Sequence, residues 1–324
     1  MQNSKYFLIF ILMLFLTAPL TAQNGKISGK AYFDYTYDLN KNANSANLFE
    51  FHRVYFGYEK QLTEKVKFKL TTDVGRMKAD DRLSVYLKYT YVDWKTTYGH
   101  LIFGLQSMNI FSIQEHNWGY RFLEKSPMDY YKWSSSADLG FGYKNTFKNK
   151  FHLWALVTNG PGYKHKEKDK YKKVSVALSY GEQKLTKKDG FNAGLIFALE
   201  PYDVGVDTTK NKTLVGVFGA FARSGIRAGA EFDLFRDAGN DQTKQIIGVF
   251  ATYKLKKNLE IVTRIDLYDP NINSENDGQT YLIAGINWTP QKNLNIVPNL
   301  RYTTYQNSNF DAMVLGKINF QFKF

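Results

Sequence analysis

The chain has no cysteine in 324 residues, which excludes a disulfide framework, a thiolate metal site and a cysteine nucleophile. Only seven prolines interrupt it. Long apolar runs are also missing beyond the N-terminus. Apolar residues make up 44% and aromatics 16% of the sequence, yet mean hydropathy is −0.41. The apolar side chains are therefore interspersed with polar ones, which argues against helical membrane spans. Catalytic signals are poor. The five histidines, His52, His100, His116, His152 and His165, show no metal-ligand spacing, and no G-x-S-x-G is present, so each reads as a wall or loop side chain. Gly140-Phe141-Gly142 has no helix pattern after it and reads as close packing in a strand rather than a nucleotide fingerprint. Asp269, Asn271, Asn273, Glu275 and Asp277 recur at every second position, a row of oxygens that could meet Ca²⁺. The EF-hand pattern fails there, with Ser274 at position six and Thr280 at position twelve. No cofactor and no metal is expected.

Lys5, the apolar run Tyr6 to Leu16 and the stretch Thr17-Ala18-Pro19-Leu20-Thr21-Ala22 form charged, hydrophobic and cleavage regions. We read residues 1–22 as a signal peptide cut after Ala22 and residues 23–324 as one exported domain. Eleven apolar residues fall short of the bilayer span that an anchor helix needs. The formal net charge of +13 suits an anionic solute or membrane surface, and export removes nucleic acid as a partner.

From Ile27 onward the dominant signal is alternation with period two in segments of roughly 9 to 12 residues, the length of a tilted membrane strand. The last segment is the clearest. Ala312, Val314, Gly316, Ile318, Phe320, Phe322 and Phe324 share one face, and Lys317, Asn319, Gln321 and Lys323 the other. Such segments fall at 26–38, 49–60, 66–75, 83–93, 100–107, 136–147, 151–158, 173–180, 191–200, 213–222, 226–236, 243–255, 259–268, 279–289, 294–305 and 312–324. Sixteen strands joined alternately by short turns (148–150, 223–225, 256–258, 290–293) and longer polar loops describe an all-β, antiparallel, up-and-down transmembrane β-barrel with both termini in the periplasm. A soluble sandwich or propeller would also alternate, but no four-strand blade repeat is present. Tyr58, Tyr91, Trp94, Phe147, Phe151, Tyr180, Phe191, Tyr253, Trp288 and Phe322 stand at strand ends, where interfacial girdles lie.

A barrel of this size encloses an aqueous channel, so selectivity falls to loops and lumen charges. The polar phase of the strands carries Lys30, Arg53, Lys67, Lys69, Lys88, Lys144, Arg227, Lys244, Lys254, Arg264, Arg301, Lys317 and Lys323 against Asp34, Asp38, Glu59, Asp73, Asp138, Glu200, Glu231, Asp233, Glu260 and Asp266. This is a small cationic excess, with pairing across strands expected for about half. The longest connection, Met108 to Ser135, is expected to fold into the lumen, with Arg121, Glu124, Lys125 and Lys132 as constriction candidates; an external cap is the alternative. Lys164, Lys166, Lys168, Lys170, Lys172 and Lys173 form a basic cluster in an outer loop, placed to draw anions to the mouth or to meet lipid headgroups.

Three stretches give the chain a family resemblance: Phe51-His-Arg-Val-Tyr-Phe-Gly-Tyr-Glu59 with Val66-Lys-Phe-Lys-Leu-Thr-Thr-Asp73, Tyr89-Thr-Tyr-Val-Asp-Trp94 leading to Phe103-Gly-Leu-Gln106, and Tyr120-Arg-Phe-Leu-Glu-Lys-Ser126. They resemble bacterial porins related to the phosphate-selective porins O and P. The terminal Phe320-Gln-Phe-Lys-Phe324 is similar to the signal read by the outer-membrane insertion machinery. The resemblance implies a trimeric sixteen-stranded barrel with a constricting third loop and a basic pathway, with Arg121, Lys125 and Lys132 placed at the constriction by position alone. The expected function is passive diffusion of small hydrophilic solutes through the outer membrane with a mild anion preference, including phosphate. A substrate-specific sugar or peptide channel would instead use Trp118, Tyr120 and Trp133 as a sliding surface lining the pore. An outer-membrane hydrolase would need a converging nucleophile and base.

Overall fold

The computed structural model describes residues 25–40, 47–76 and 81–324, so the expected signal peptide, 1–22, lies outside the described residues. Sixteen strands follow in chain order: β1 Gly25–Asp38, β2 Leu48–Gln61, β3 Val66–Arg76, β4 Leu83–Thr96, β5 Gly99–Ser107, β6 Ala137–Phe147, β7 Phe151–Thr158, β8 Lys173–Gly181, β9 Gly190–Asp203, β10 Thr209–Arg223, β11 Ile226–Asp237, β12 Gln242–Lys256, β13 Leu259–Asp269, β14 Gln279–Gln291, β15 Leu294–Tyr305 and β16 Met313–Lys323. Each pairs antiparallel with its sequence neighbours, and β16 returns to β1 to close the barrel. Closure leaves no unpaired strand edge, which a bilayer requires because it offers no water to satisfy backbone groups.

The alternating sequence dictates an inverted distribution of polarity. In β16 Ile318 is 38% exposed on the outer face while Asn319, its neighbour, is 1% exposed on the inner face. In β1 Asp34 is buried inside and Tyr37 exposed outside. Turns of two residues join strands at one end (97–98, 224–225, 257–258, 292–293). The Ser224-Gly225 turn has both residues at positive φ, 52° and 87°, the mirror-image turn that matches strand twist. The longest connection at this end is 182–189, while those at the other end range from 238–241 to 108–136; β1 begins and β16 ends at the end with the two-residue turns. Within β6, a Cβ on Gly140 would stand 2.2 Å from the Val157 carbonyl oxygen, so the Gly140-Phe141-Gly142 stretch serves close strand packing.

The register shifts in four strand pairs, near the turns at Lys254/Lys256 and Trp288/Gln291 and, within the wall, at two β-bulges. Opposite Tyr32 and Phe33, β2 carries one extra residue at His52, so His52 and Arg53 both turn toward the lumen, bonding Asp34 and Asp73. Opposite Thr71 and Thr72, β4 carries an extra residue at Lys88, so Lys88 and Tyr89 both line the lumen. Bulges re-aim side chains in this way. The second one corrects the girdle assignment of Tyr91, which faces the lumen rather than the lipid interface.

The connection from β5 to β6 turns back into the barrel and holds two short helices, α1 Ser112–Trp118 and α2 Pro127–Tyr130. Its apolar side chains meet apolar residues on the inner wall. Met108, Ile110, Phe111, Ile113, Met128 and Trp133 cluster with Leu156, Ile196, Leu214, Phe218 and Ile246. Trp118, Tyr120, Phe122 and Leu123 cluster with Tyr32, Val262, Tyr281, Ile283 and Val297. The loop thus covers the inner face from β7 round to β15 and is held there by burial of apolar surface, the largest favourable contribution available.

Candidate functional site

Three arginines on alternate strands tie the loop to the wall. Arg227 of β11 donates to the carbonyls of Asn117 and Trp118, capping the C-terminal end of α1, where unsatisfied carbonyls and the helix dipole favour a cation. Gly119 follows at φ 73°, in the left-handed region, and its missing Cβ leaves room for the Arg227 guanidinium. Arg264 of β13 donates to the Lys125 carbonyl and to both oxygens of Asp266, at 2.8 and 2.5 Å. Arg301 of β15 donates to the Leu123 carbonyl and to Glu124 Oε2, each at 2.5 Å. All three were pore-lining candidates; they are buried beneath the loop. Glu124, one of the constriction candidates, is the buried partner of Arg301 and also accepts from the Tyr281 hydroxyl at 3.1 Å.

The loop leaves one side of the lumen open, along β1 to β4, β6, β7 and β16. The resulting chamber of about 1040 Å³ is lined by Lys30, Lys69, Lys88, Lys144, Lys187, Lys323 and Arg121, with Glu59 and Glu115 as the acidic residues among the described lining. Glu59 is held by Lys69 at 2.7 Å and Glu115 by Arg121 at 2.7 Å. Arg121 also reaches Asp129 at 3.0 Å. The Lys88 ammonium bonds the Ser136 hydroxyl and stands 3.9 Å from the Tyr163 ring centroid; Lys144 lies 3.4 Å from that of Trp154. These rings offer negative faces that offset lost hydration without neutralising the charge. Burial pushes the loop's Lys125 ammonium and His116 imidazole down and the Glu115 carboxyl up from their usual ranges.

Toward the long-loop end the row continues. Arg53 donates to Asp73 and to the Tyr86 hydroxyl, both at 2.8 Å, and Lys164 lies 4.4 Å from the Tyr86 ring centroid. Lys166, Lys168 and Lys170 are exposed in the 159–172 connection, and Lys172 bonds Glu167 at 3.2 Å. Lys173 sits apart from this cluster, buried in β8 with Glu200 at 3.0 Å and the Ser134 hydroxyl at 3.2 Å. Lys67 approaches Asp93 at 3.9 Å, Lys317 bonds Asp34 at 2.7 Å, and Lys132 follows α2 at φ 61°.

The sliding-surface alternative is corrected, and the row of oxygens at 269–277 forms no ligand set. Trp118, Tyr120 and Trp133 are buried at 2%, 5% and 5% exposure, packed between loop and wall, so they form no sliding surface. Asp269 to Asp277 do not gather as ligands: among the described residues no three His, Asp or Glu converge on a metal position, and Asp269 accepts the Asn271 backbone N–H instead. Sequence reasoning missed the docking surface for the loop. Its signal was present in the apolar residues Leu156, Ile196, Ile246, Val262, Ile283 and Val297 on the phase otherwise given to polar side chains.

A closed sixteen-stranded barrel with an apolar outside, a charged lumen and an inward-folded loop defines an outer-membrane porin, a non-enzymatic channel. Residues 26–193 match the profile of phosphate-selective porin O and P, and the chain belongs to this family. No curated protein sequence matches it significantly. Among solved structures it is similar to Salmonella typhi OmpF in complex with daunomycin (12% identity, 93% of this chain and 97% of that one, TM-score 0.69). It is also similar to an anion-selective porin from Comamonas acidovorans (11%, 93% and 99%, TM-score 0.67) and to the trimer form of in-vitro folded OmpT of Vibrio cholerae (12%, 93% and 99%, TM-score 0.67). At such identity the likeness is one of fold.

Proposed function

We propose that this porin passes small hydrophilic solutes with a preference for anions, phosphate among them. The observation that carries this reading is the chamber lining, where the two acids are each engaged by a cation and Lys30, Lys88, Lys144, Lys187 and Lys323 have no carboxylate within 4 Å among the described residues. An anion entering from the mouth meets Lys164, then Arg53 and Lys88, then Arg121 beside the loop, and leaves past Lys30, Lys144 and Lys323. Lys125 and Lys132 add positive charge on the loop side of this passage. Low-dielectric walls focus the field of such a row and raise the local anion concentration.

In this reading the chain is cut after Ala22, inserted by the barrel assembly machinery through its terminal Phe320, Phe322 and Phe324, and set with both termini in the periplasm as a homotrimer. A planar-bilayer recording in a potassium chloride gradient tests the function. The reversal potential should favour chloride, more strongly at low salt where the Debye length is longer, and added phosphate should reduce chloride current by competition. Lys125→Glu with Lys132→Glu should weaken the preference. A wild-type pore that favours potassium would overturn the reading.

A further inference from the structure

Cations recur at every connection of one rim of the barrel and not of the other. Each of the seven short turns has a cation within it or at the adjoining strand end: Lys65, Lys95, Lys148, Lys187, Lys257 and Lys292 are all exposed, and Arg223 precedes the seventh. At the other rim the connections 204–208, 238–241, 270–278 and 306–312 hold no Lys or Arg and five acids; outside the infolded loop, the described cations of that rim's connections fall in 81–82 and 159–172, so only the short-turn end carries a cation at every connection.

Two of the turn cations flank lipid-facing aromatics. Phe147 precedes Lys148 and Phe151 follows Lys150, and all four side chains are exposed, whereas Lys95 and Lys254, beside Trp94 and Tyr253 within β4 and β12, take the lumenal phase. Aromatic rings settle at the level of the headgroups, so a turn lysine just beyond such a ring stands at the depth of the phosphate layer, its stem free to lie along apolar surface. Within the same turns the carboxylates are Glu64, Glu182 and Asp189; Glu182 reaches Lys188 at 3.8 Å, and Asp189 accepts the Ser224 backbone N–H.

We propose that this collar is a binding surface for the headgroups of anionic phospholipids of the phosphatidylglycerol class, which gather around the short-turn end of the barrel. Assignment of that end to the periplasmic leaflet rests on the orientation given under the proposed function; the lipid preference itself does not. A Lys near an anionic surface is worth about 1 kcal/mol, or about fivefold in local lipid association.

The test uses the full chain reconstituted in phosphatidylcholine vesicles containing spin-labelled phosphatidylglycerol or phosphatidylcholine, with the immobilised boundary fraction read by electron spin resonance. Phosphatidylglycerol should be favoured about two- to fivefold in 0.1 M salt and approach parity at about 1 M, where the Debye length is about 3 Å. The combined variant K65Q/K148Q/K150Q/K257Q/K292Q should lose the preference, and K164Q/K166Q/K168Q/K170Q/K172Q, at the other rim, should keep it. Absence of a preference in the wild type, its retention in the collar variant, or its loss in the loop variant would each overturn the proposal. Folding of each variant is checked by heat-modifiable migration. Orientation is read separately from N258C, which should react with an impermeant thiol reagent only after the outer membrane is opened; a reaction on intact cells would reverse the leaflet and leave the lipid measurement standing.

Discussion

Arg301→Ala is expected to release the constricting loop. In the native barrel the Arg301 guanidinium donates to Glu124 Oε2 and the Leu123 carbonyl at 2.5 Å, to the Tyr281 hydroxyl and Asn299 Oδ1 at 3.1 Å, and to Asn319 Oδ1 at 3.3 Å. Removing it strands the buried Glu124 carboxylate, which keeps the Tyr281 hydroxyl and the Lys125 backbone N–H as its donors. Breaking one side of a buried ion pair costs about 3–5 kcal/mol, which shifts the docking equilibrium of the loop by two to nearly four powers of ten. The apolar contacts of Phe122 and Leu123 with the wall oppose the release but are severed with it, since they share the segment. Single-channel recording should show larger and noisier conductance with weaker ion selectivity, while the barrel retains its resistance to heat-induced unfolding. Arg301→Ala with Glu124→Gln, which removes the uncompensated charge, should recover part of the wild-type behaviour. A single substitution whose conductance, noise and selectivity match those of the wild type would refute the reasoning that Arg301 holds the loop in place.

Cysteine labelling reports the same event: in this cysteine-free chain, Cys at Ile318 or Phe320 should resist an impermeant thiol reagent and Cys at Lys30 or Lys323 should react, whereas Cys at Asn319, buried against the Phe122 carbonyl, should react rapidly only when Arg301→Ala is also present. Equal reaction at all these positions would contradict the strand phase. Deleting Phe324 should lower the yield of heat-resistant barrel, because its backbone exchanges hydrogen bonds with Gly29 at 3.0 and 3.1 Å across the closing seam; unchanged yield in outer-membrane fractions would remove that role. His116, whose pKa burial and then Lys30, Lys144 and Lys184 push down, is neutral at pH 7 and gains a proton only below the usual imidazole range near 6.5. Its contribution to stability is therefore present above about pH 6.5 and lost as pH falls through the depressed value. Chloride preference should rise over the same acid window, and His116→Gln should flatten the part of the rise that Glu115 protonation does not supply. A variant with the same selectivity profile as the wild type from pH 7 to 5 would exclude His116 from the pathway.

Strand number, strand order and the face that each side chain presents were legible in the sequence because a membrane wall one layer thick must alternate at every step. The sixteen expected segments coincide with the sixteen strands to within a few residues at their ends. Local pattern fails at His52 and Lys88, where an extra residue shifts the phase by one. The shift is visible in the sequence as the change from Phe49 and Phe51 to Val54, Phe56 and Tyr58 on the outer face, but the partner strand is needed to locate the bulge. The fate of the lumen cations was equally hidden. Arg227, Arg264, Arg301 and Lys144 all lie on the polar phase, and nothing in their spacing separates the three that bond loop carbonyls from the one that lines water.

Sequence alone determined that the chain crosses a membrane as a closed barrel, since hydropathy of period two admits few other ways to satisfy every backbone group. It also located the long connection after the fifth strand. Which charges act on a solute was decided by tertiary structure, because the loop folds over one side of the lumen and not the other. Burial under the loop turns a cation into a tether, while a cation on the open side keeps its field in the channel. The choice between these depends on contacts between residues more than a hundred positions apart, such as Arg227 with Trp118 and Arg301 with Glu124, which no local pattern encodes.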